Sequence, residues 1–438
     1  MHVYFSGIGG AGIGPLAQIA KAAGLEVSGS DKRNSPYIEY LKKHGIKEIH
    51  IGQTTEEISK IHHKNPIDWL VYSSAVTLEN DQPPELTFCQ EQAIKVSKRD
   101  EFLTHFLKIN NLKMIAVAGT HGKTTTTAMT VWLLKKIGYP ISYILPAKVN
   151  FGDMGEFNKD SAYFVYEADE FDHNFLSFSP AISLITGIGW DHQEIYPTRQ
   201  DYYTAFNQFI NQSTKTFIWQ KDKTISNITA SKNTTVLNEN TTILNKINLL
   251  GTSNRQDAYL AIKAVQTISK KSDDELIEII NQFPGLSRRM EQIIPNLYSD
   301  YAHTPEKITA ALNVASELAQ KLAKENKSSG KIIIIYEPLT NRRQHFIKNQ
   351  YSKLFSTADH IYWVPSYLAR EDPTLKILSP NDLIEYLDNK TVASVAKLDH
   401  NLLKTINDHL KNNDLVVAIS GGGGNSLDDW LRRYFNRD

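Results

Sequence analysis

The sequence predicts an α/β protein of three domains, of which the first and last are Rossmann-like and the middle one contains a mostly parallel sheet. Strand-like apolar runs alternate with helical patterns along most of the chain, which is typical of parallel sheets covered by helices. The 438 residues also exceed what a single hydrophobic core usually supports. We place the boundaries so that the domains span residues 1–107, 108–285 and 286–438.

The N-terminal domain begins with a predicted strand, a helix and a second strand, which have the sequences HVYFSG, IGPLAQIAKAAG and LEVSGSD. The helix ends at Gly24, because glycine is common just after a helix C-terminus. A short helix and another buried strand follow in IEYLKKHG and DWLVYSSAV. The helical pattern KRDEFLTHFLKINN then leads out of this domain.

The other two domains repeat the alternation. Strands are predicted in KMIAVAG, SAYFVYEAD and AISLITGI, and helices in TAMTVWLLKKIG and DAYLAIKAVQTISKK. The polar stretch from 220 to 248 is a poor core former, and we expect short edge strands and loops there. Beyond it, strands in QIIPNLYSDYAH, KIIIIYEP, HIYWVP and DLVVAIS accompany helices in EKITAALNVASELAQKLAK and SLDDWLRRYF.

The composition excludes several classes of protein. Lys and Arg together number 48, as do Asp and Glu, so no overall positive field predicts nucleic-acid binding. The only cysteine is Cys89, which excludes an internal disulfide and favours a reducing compartment. The start MHVYFSGIGG does not resemble a signal peptide, and no run approaches the ~18–20 apolar residues that span a bilayer. We therefore expect a cytoplasmic protein without membrane insertion.

A glycine-rich loop near the N-terminus has the pattern G-x-G-x-x-G in Gly7-Ile8-Gly9-Gly10-Ala11-Gly12. It follows a strand and opens a helix, and Asp31 ends the next strand. Glycines allow close approach of the backbone, and a helix N-terminus offers free N–H groups to a diphosphate. The pattern favours diphosphate binding over a purely structural turn, and it is compatible with either NAD or a nucleotide sugar.

A second loop, AVAGTHGKTTTT, lies between a strand and a helix of the middle domain. It fails the usual G-x-x-x-x-G-K-[ST] pattern because Val117 stands where the first glycine is expected. It retains backbone donors, Lys123 to reach the β- and γ-phosphates, and Thr124 to hold Mg²⁺. We interpret it as an ATP-binding loop of the P-loop type in a shorter frame; the alternative is a helix capped by Ser/Thr residues.

Acidic residues follow the next apolar strand in the segment YEADEFD. They are Glu167, Asp169, Glu170 and Asp172, and carboxylates in this position suit a hard cation carried with phosphates. The alternative is a solvated acidic turn. Asp191 and His192 follow a further strand, where a metal or substrate role and a structural role are equally compatible with the pattern.

Together these motifs resemble the Mur ligase family, whose members build the stem peptide of peptidoglycan. The matching segments, in order, are GIGGAGIG, VSGSD, SSAV, AVAGTHGKTTTT, EADEFD, the DH pair, RRME and DYAHTPE. The resemblance implies a domain that binds the UDP-sugar, a central ATPase and a C-terminal domain that closes over the site. It also implies that ATP and Mg²⁺ are used to activate the carboxylate of UDP-N-acetylmuramate as an acyl phosphate, which an amine then attacks.

The resemblance implies roles for individual residues. The residues expected to take part in catalysis are Lys123, Glu167, His192, Arg289 and His303, and the metal ligands are Thr124, Glu167 and His192. ATP would be bound by Gly119, Thr120, His121, Gly122, Lys123, Thr124, Thr125, Asn254, Asp257, Arg289 and Asp300. The UDP-sugar would be bound by Gly9, Gly10, Gly12, Asp31, Ser73 and Ser74, and the amino acid by Arg343.

Several positions depart from the family pattern. Gly187 stands where an Asn commonly precedes the DH pair, and Leu339 and Thr340 replace a His-Arg pair in the amino-acid segment. DYAHTP differs from the DYGHHP that is typical of alanine-adding members, and the adenine segment has Ser253 and Asp257. DYYTAFNQFINQ contains no lysine, which argues against the branches that carry a carbamylated lysine there.

Four functions remain open on this pattern. The favoured one joins L-alanine to UDP-N-acetylmuramate, and its neighbour attaches the tripeptide L-Ala-γ-D-Glu-meso-diaminopimelate to the same sugar nucleotide. An NAD-dependent oxidoreductase leaves the ATP loop and the acidic cluster without a role. A non-catalytic nucleotide-binding module requires degraded metal and phosphate residues, whereas these are present. The run from Gly421 to Gly424 fits a second anion-binding loop and a flexible turn equally well.

Overall fold

The structure of the protein is a computed structural model that describes residues 1–73, 76–77, 80–225, 233–325, 327, 330–369 and 371–435. Within these ranges the chain forms three sheets. It divides into two compact units, of which the first comprises Met1–Asn248 with Arg255–Pro284 and the second comprises Leu249–Asn254 with Gly285–Asp438. The predicted fold class, three α/β regions with mostly parallel sheets, is confirmed.

The first sheet has five parallel strands in the order β3-β2-β1-β4-β5. Its strands are β1 (His2–Ser6), β2 (Glu26–Asp31), β3 (Ile49–Ile51), β4 (Trp69–Tyr72) and β5 (Lys95–Lys98). Its helices are α1 (Gly14–Ala22), α2 (Pro36–Lys43), α3 (Thr55–Lys64), α4 (Pro84–Glu91) and α5 (Arg99–Ile109). Because β1 is central and fully buried, the loop after it opens at the middle of the sheet edge.

The second sheet has seven strands in the order β12-β11-β10-β6-β9-β7-β8, and only β8 is antiparallel to its neighbour. The strands are β6 (Lys113–Ala118), β7 (Ile141–Ile144), β8 (Gly155–Glu156), β9 (Tyr163–Glu167), β10 (Ile182–Ile185), β11 (Thr216–Trp219) and β12 (Thr234–Leu237). The helices are α6 (Lys123–Lys136), α7 (Arg199–Gln212), α8 (Gln220–Ile225), α9 (Thr252–Ile268) and α10 (Asp273–Ile280).

The third sheet lies in the second unit and has the order β13-β14-β18-β15-β16-β17, with β13 antiparallel at the edge. The strands are β13 (Glu291–Ile294), β14 (Leu297–Asp300), β15 (Ile332–Glu337), β16 (His360–Trp363), β17 (Ala393–Val395) and β18 (Leu415–Ser420). The helices are α11 (Pro305–Lys324), α12 (Asn341–Ile347), α13 (Pro380–Ile384), α14 (His400–Lys411) and α15 (Leu427–Phe435).

A single apolar core joins the first two sheets into the first unit. Phe5 and Phe102 on the first sheet's side belong to the same buried cluster as Met114 and Phe164 of the second sheet. Close backbone packing supports the junction, since a side chain at Gly155 would lie 2.6 Å from the carbonyl oxygen of Pro15. Burial of apolar area at this junction contributes stability that neither sheet would have alone.

The polar stretch from 220 to 248 differs in part from the expectation. The predicted edge strand is β12, but residues Gln220–Ile225 form a helix that the polar composition concealed. A buried carboxylate explains the helix, because Asp222 accepts a hydrogen bond from the backbone of Ile188 at 3.1 Å and so ties it to the sheet. None of the described helices is both long and apolar enough to cross a membrane.

Candidate active site

The ends of three adjacent strands bring the main predicted residues of the first unit together. β6 lies between β9 and β10, and all three are parallel, so their carboxyl ends share one edge of the sheet. The loop 119–122 follows β6, the acidic segment 167–170 ends β9, and Thr186 follows β10. This is the edge at which parallel α/β sheets bind ligands.

The phosphate loop depends on glycines at three positions. Gly119 and Gly122 have φ values of 142° and 80°, which side-chain-bearing residues rarely adopt. Gly187 from the neighbouring strand end is needed for space, since a Cβ there would lie 2.8 Å from Nε2 of His121. The glycine that replaces the family's asparagine therefore accommodates the His121 ring. Thr186 adds a hydrogen bond from its hydroxyl to the His121 carbonyl.

Lys123, the first residue of α6, is held by carboxylates. Its Nζ donates to Glu170 Oε2 at 2.6 Å and to the carbonyl of Gly119 at 2.7 Å, and it lies 3.8 Å from Asp169 Oδ1. Burial disfavours its charge, but the carboxylates of Glu170, Asp169 and Glu167 outweigh this effect and raise the pKa of Lys123. The lysine is therefore a permanent cation at the base of the loop.

Thr124 and Glu167 form the predicted metal-binding pair. The hydroxyl of Thr124 donates to Glu167 Oε2 at 2.8 Å. Adjacent oxygen ligands of an octahedral Mg²⁺ ion, each about 2.05 Å from the metal, are about 2.9 Å apart. The pair thus fits the donor type and the spacing of a magnesium site that is completed by phosphate oxygens and water. No group of three or more His, Cys, Asp or Glu side chains within the described ranges is arranged as a metal site.

His192 lies beside the same acidic segment. Its Nε2 is 3.8 Å from Glu170 Oε1, and its Nδ1 is 3.7 Å from Glu194 Oε1. The backbone of His192 is left-handed, with φ of 55°, and its N–H donates to the Asp191 carboxylate at 2.8 Å. The structure therefore brings His192 to the edge that carries Lys123, while the assignment of His192 as a metal ligand stays a prediction.

The residues predicted to bind adenine occupy different surroundings. Asp257 of α9 is buried beside the phosphate loop, because a Cβ at Gly122 would lie 2.6 Å from its Oδ1. Burial raises the pKa of the Asp257 carboxyl well above its usual value. Asn254, three residues earlier, donates from its side-chain amide to the carbonyl of Leu250 at 2.8 Å. Thr125 lies in the first turn of α6.

The N-terminal glycine loop is closed by the carboxylate of Asp31. The N–H of Gly9 donates to Asp31 Oδ2 at 2.9 Å, and the N–H of Gly10 donates to the carbonyl of Gly7 at 3.0 Å. Ser73, after β4, faces this loop, since a Cβ at Gly7 would lie 3.7 Å from its hydroxyl. Ser74, also predicted to bind the UDP-sugar, lies outside the described residues.

In the second unit, Asp300 and Arg289 flank the end of β14. Both carboxylate oxygens of Asp300 accept backbone N–H groups at 2.8 Å, from Met290 and from Ala302. Burial raises the pKa of Asp300, and the nearby charge of Arg289 opposes that change. The guanidinium of Arg289 lies 5.1 Å from the ring centre of Tyr301. Asp300 therefore anchors two turns, and its predicted contact with ribose stays a prediction.

His303 has several positive charges nearby. Its Nδ1 donates to the carbonyl of Tyr301 at 2.8 Å. Burial, together with the positive charges of Lys307, Arg343 and Arg289, lowers the pKa of His303 from 6.5 to about 3. The imidazole is thus neutral at pH 7, and Nε2 carries a lone pair that accepts hydrogen bonds.

Arg343 lies in the first turn of α12, near the ends of β15 and β18. Thr340, which replaces the family's arginine, caps this helix with its hydroxyl, which accepts the Arg343 N–H at 3.3 Å. Leu339, the other replacement, packs against the glycine run, because a Cβ at Gly421 would lie 3.1 Å from Leu339 Cβ. The same Cβ would lie 2.9 Å from His303 Cβ, so the run is packed onto this site.

Three functional contacts were missed by sequence reasoning. Glu170 was recognised only as one member of an acidic cluster, yet it is the fully buried partner of Lys123. Of the Arg-Arg pair, Arg288 is the one that holds the glycine run, through bonds to the carbonyls of Ser420 and Gly422 at 2.8 and 2.7 Å. Arg99 reaches the loop at Gly12. Each contact joins residues far apart in sequence. The only sequence signals for the first two were the acidic segment that contains Glu170 and the RRME motif that contains Arg288.

In the first unit, a glycine loop, a lysine, a hydroxyl and carboxylates meet at the carboxyl ends of parallel strands, which is the arrangement of a nucleotide-binding α/β protein. Residues 2–110 match the model of the Mur ligase family, catalytic domain, and residues 117–279 match that of the Mur ligase middle domain. The chain belongs to the Mur ligase family, a family of ATP-dependent ligases that generally use Mg²⁺.

Similar proteins extend over nearly the whole chain. The UDP-N-acetylmuramate–L-alanine ligase of Clostridium botulinum strain Hall is 28% identical over 458 aligned positions, covering 96% of this chain and 95% of that protein. The crystal structure of the UDP-N-acetylmuramate–alanine ligase of Thermotoga maritima has a TM-score of 0.76 and 22% identity, covering 100% of this chain and 99% of that one. A murein peptide ligase of Psychrobacter arcticus has a TM-score of 0.62 at 22% identity, covering 100% and 98%. These structures share the fold.

Proposed function

We propose that this protein joins L-alanine to the lactyl carboxylate of UDP-N-acetylmuramate, with cleavage of ATP to ADP and phosphate. A carboxylate oxygen attacks the γ-phosphorus and ADP leaves; the amine of L-alanine then attacks the acyl carbon, loses a proton, and phosphate leaves as the amide forms. The observation that carries the proposal is the joint position of Lys123, Thr124 and Glu167 at one sheet edge. The relatives named as L-alanine ligases support the choice of amine.

The residues around the phosphate loop supply charge and position. Lys123 lies 2.6 Å from Glu170 and also donates to the Gly119 carbonyl, so one of its three N–H groups is left for a phosphate oxygen when ATP is bound. Phosphoryl transfer depends mainly on positioning and charge neutralisation, so a permanent cation and backbone donors are the parts it requires. Glu170 stays buried behind the lysine and keeps it protonated.

Thr124 and Glu167 would hold Mg²⁺, which neutralises charge on the β- and γ-phosphates when bound. His192, close to Glu170, would serve a second cation by the family analogy. The donor set of oxygens and one imidazole suits a hard divalent cation.

The second unit is proposed to supply the groups that receive the amine and the transferred phosphate. Arg289 and Arg343 carry positive charge suited to phosphate and to the carboxylate of L-alanine. His303 acts as a neutral hydrogen-bond acceptor, because a pKa of about 3 makes it a poor base at pH 7. Asn254, Asp257 and Asp300 are proposed to bind the adenosine part of ATP.

The wider assignments follow from this reaction. We propose that residues 1–107 bind the UDP-sugar, that 108–285 bind ATP and that 286–438 bind the amino acid and close over the site. Substrates of this kind and the single buried thiol of Cys89 are consistent with a cytoplasmic enzyme of peptidoglycan precursor synthesis.

Substrate-dependent release of ADP tests the proposal. The chain is mixed with ATP, Mg²⁺ and UDP-N-acetylmuramate, and L-alanine or L-Ala-γ-D-Glu-meso-diaminopimelate is added in separate reactions. We expect ADP release, and a product heavier by one alanyl residue, in the reaction that receives L-alanine and not in the reaction that receives the tripeptide. Release with only the tripeptide would replace the proposed function by that of a recycling ligase, and release with neither would contradict both. Reduction of NAD by an alcohol would revive the oxidoreductase hypothesis.

A further inference from the structure

The third glycine of the N-terminal loop lies against the side chain of Arg99. A Cβ on Gly12 would overlap Nη1 of this arginine and would lie 3.3 Å from its Cζ. Arg99 is the first residue of α5 and directly follows β5, whose carboxyl end lies at the same sheet edge as the loop after β1. The missing side chain at Gly12 therefore gives a guanidinium access to the glycine loop.

The guanidinium of Arg99 is enclosed by carboxylates that lie too far away to satisfy it. Its side chain is 21% exposed; Nε lies 3.5 Å from Asp100 Oδ1, and Nη2 lies 3.9 Å from Asp169 Oδ2. None of the residues that the structure describes accepts a hydrogen bond from this guanidinium. Arginine has five N–H donors, and enclosed donors without acceptors are unfavourable.

The two sides of the guanidinium have different surroundings. Nη2 faces Asp169, a carboxylate of the acidic segment, which repels an anionic ligand. Nη1 faces Gly12, two residues before α1, where the helix dipole attracts an anion, although the Asp31 carboxylate already accepts the Gly9 N–H in this loop. A planar guanidinium also matches the oxygens of a phosphate group bidentately. An anion is therefore favoured on the Nη1 side, at the glycine loop.

We propose that Arg99 binds the diphosphate of the sugar nucleotide, and that Asp100 and Asp169 hold its guanidinium in place for that contact. The identity of the sugar nucleotide rests on the proposed function, whereas the class of ligand, a nucleoside diphosphate, rests on the loop and the arginine. Gly12 is glycine in this chain because any side chain there would displace Arg99 from the anion.

Calorimetric titration of the full-length chain with UDP, UDP-N-acetylglucosamine and UDP-N-acetylmuramate tests the proposal. We expect Arg99→Met to weaken all three by about ten- to a hundredfold, the usual effect of losing charged hydrogen bonds. Arg99→Lys, which keeps the charge without the fork, should bind with intermediate affinity. Lys108→Met removes an exposed cation from the same helix and should leave all three affinities unchanged.

A double-mutant cycle separates ligand binding from general damage. Gly12→Ala should weaken UDP binding because its methyl group pushes Arg99 aside. In combination with Arg99→Met, it should cost little more than Arg99→Met alone, since the displaced group is already gone. Additive losses would show that Gly12 acts through something other than Arg99, and would overturn the proposed reason for the glycine.

Other outcomes also overturn the proposal. Undiminished UDP binding by Arg99→Met would remove the arginine from the site. A loss confined to UDP-N-acetylmuramate would assign Arg99 to the lactyl carboxylate instead, since the other two ligands lack that group. An equal loss of ATP affinity with a lower Tm would indicate a purely structural role. In a further case, the wild-type chain shows no ligase turnover while Arg99→Met selectively loses UDP binding. That pair of results would contradict the proposed function and would leave this inference standing.

Discussion

The phosphate loop of the first unit and the His303 region of the second unit have opposite electrostatic surroundings. Around Lys123, carboxylates prevail, and they hold the lysine charged. Around His303, the nearby charges are those of Lys307, Arg343 and Arg289, and together with burial, the larger cause, they lower its pKa and keep the imidazole neutral. Negative surroundings suit a loop that receives phosphates together with a cation, and positive surroundings suit a region that receives an anion alone.

This contrast assigns different tasks to the two units. The first unit carries its own negative charge at Glu167, Asp169 and Glu170, so we expect nucleotide binding there to require a cation such as Mg²⁺. The second unit needs no cation to accept a phosphate or an amino-acid carboxylate. Mutations around Lys123 should therefore affect metal and ATP dependence, while those around Arg343 should affect the amino acid.

The largest effect is expected from Lys123→Ala. Loss of the charge that is proposed to meet the transferring phosphate should reduce kcat about 10²–10³-fold. The chain should still fold, because Gly119 and Gly122 make the loop turn, but with a lower Tm, since the buried Glu170 loses its partner. Steady-state ADP release and thermal melting measure the two quantities. Lys113→Ala, an exposed lysine at the start of β6, is the matched control. Near-normal turnover of the first variant would contradict the role given to Lys123.

Glu167→Gln should raise the Mg²⁺ concentration needed for half-maximal activity by about 10–100-fold, because it removes a charged metal ligand. Titration of ADP release with Mg²⁺ measures this change, and EDTA should abolish activity in both proteins. Glu156→Gln, which removes the charge of a partly exposed carboxylate bonded to Lys135 and Tyr143, serves as the control. An unchanged Mg²⁺ requirement in Glu167→Gln would contradict the assignment of Glu167 as a metal ligand and would place the metal away from the end of β9.

Arg343→Ala should raise the KM for L-alanine about tenfold, the loss of roughly one charged hydrogen bond. The KM for ATP should stay the same if the second unit handles the amino acid. Initial rates at varied concentrations of each substrate separate the two constants. Equal increases in both would break the division of tasks between the units.

The smallest effect concerns stability and pH. The pKa of His303 is about 3 in the folded chain and 6.5 as the usual value, so the unfolded chain binds more protons between these limits. The stability contributed by neutral His303 is therefore present above pH 6.5 and falls as the pH drops toward 3. His303→Gln should reduce the slope of unfolding free energy against pH in this window by less than about 1.4 kcal/mol per pH unit. Urea unfolding of both proteins at pH 7 and pH 5 measures this slope. Identical slopes in the wild type and His303→Gln would show that the fold does not hold His303 neutral.

Much of the fold and the centre of the site were accessible from the sequence, because they depend on local patterns. Alternating strands and helices predicted the sheets, and motifs at strand ends predicted that Lys123, Thr124 and Glu167 meet. A parallel sheet forces these strand ends together, so spacing along the chain was sufficient. The absence of the first P-loop glycine at Val117 did not matter, since Val117 is a buried residue of β6.

The remainder depends on contacts that no local pattern encodes. A Cβ at Gly187 would meet the ring of His121, which follows a different strand. Arg288 rather than Arg289 holds the glycine run, and its backbone is left-handed, with φ of 58°. Arg99 belonged to a helix that the sequence presented only as a connection between domains.

The central claim is that the loop activates a carboxylate by phosphorylating it. Transfer of oxygen from UDP-N-acetylmuramate labelled with ¹⁸O in its lactyl carboxylate tests this most directly. Because the attacking oxygen stays on phosphorus when the amine displaces the phosphate, the account predicts one ¹⁸O atom in each phosphate released with L-alanine. Phosphate without ¹⁸O, alongside fully labelled product, would contradict it.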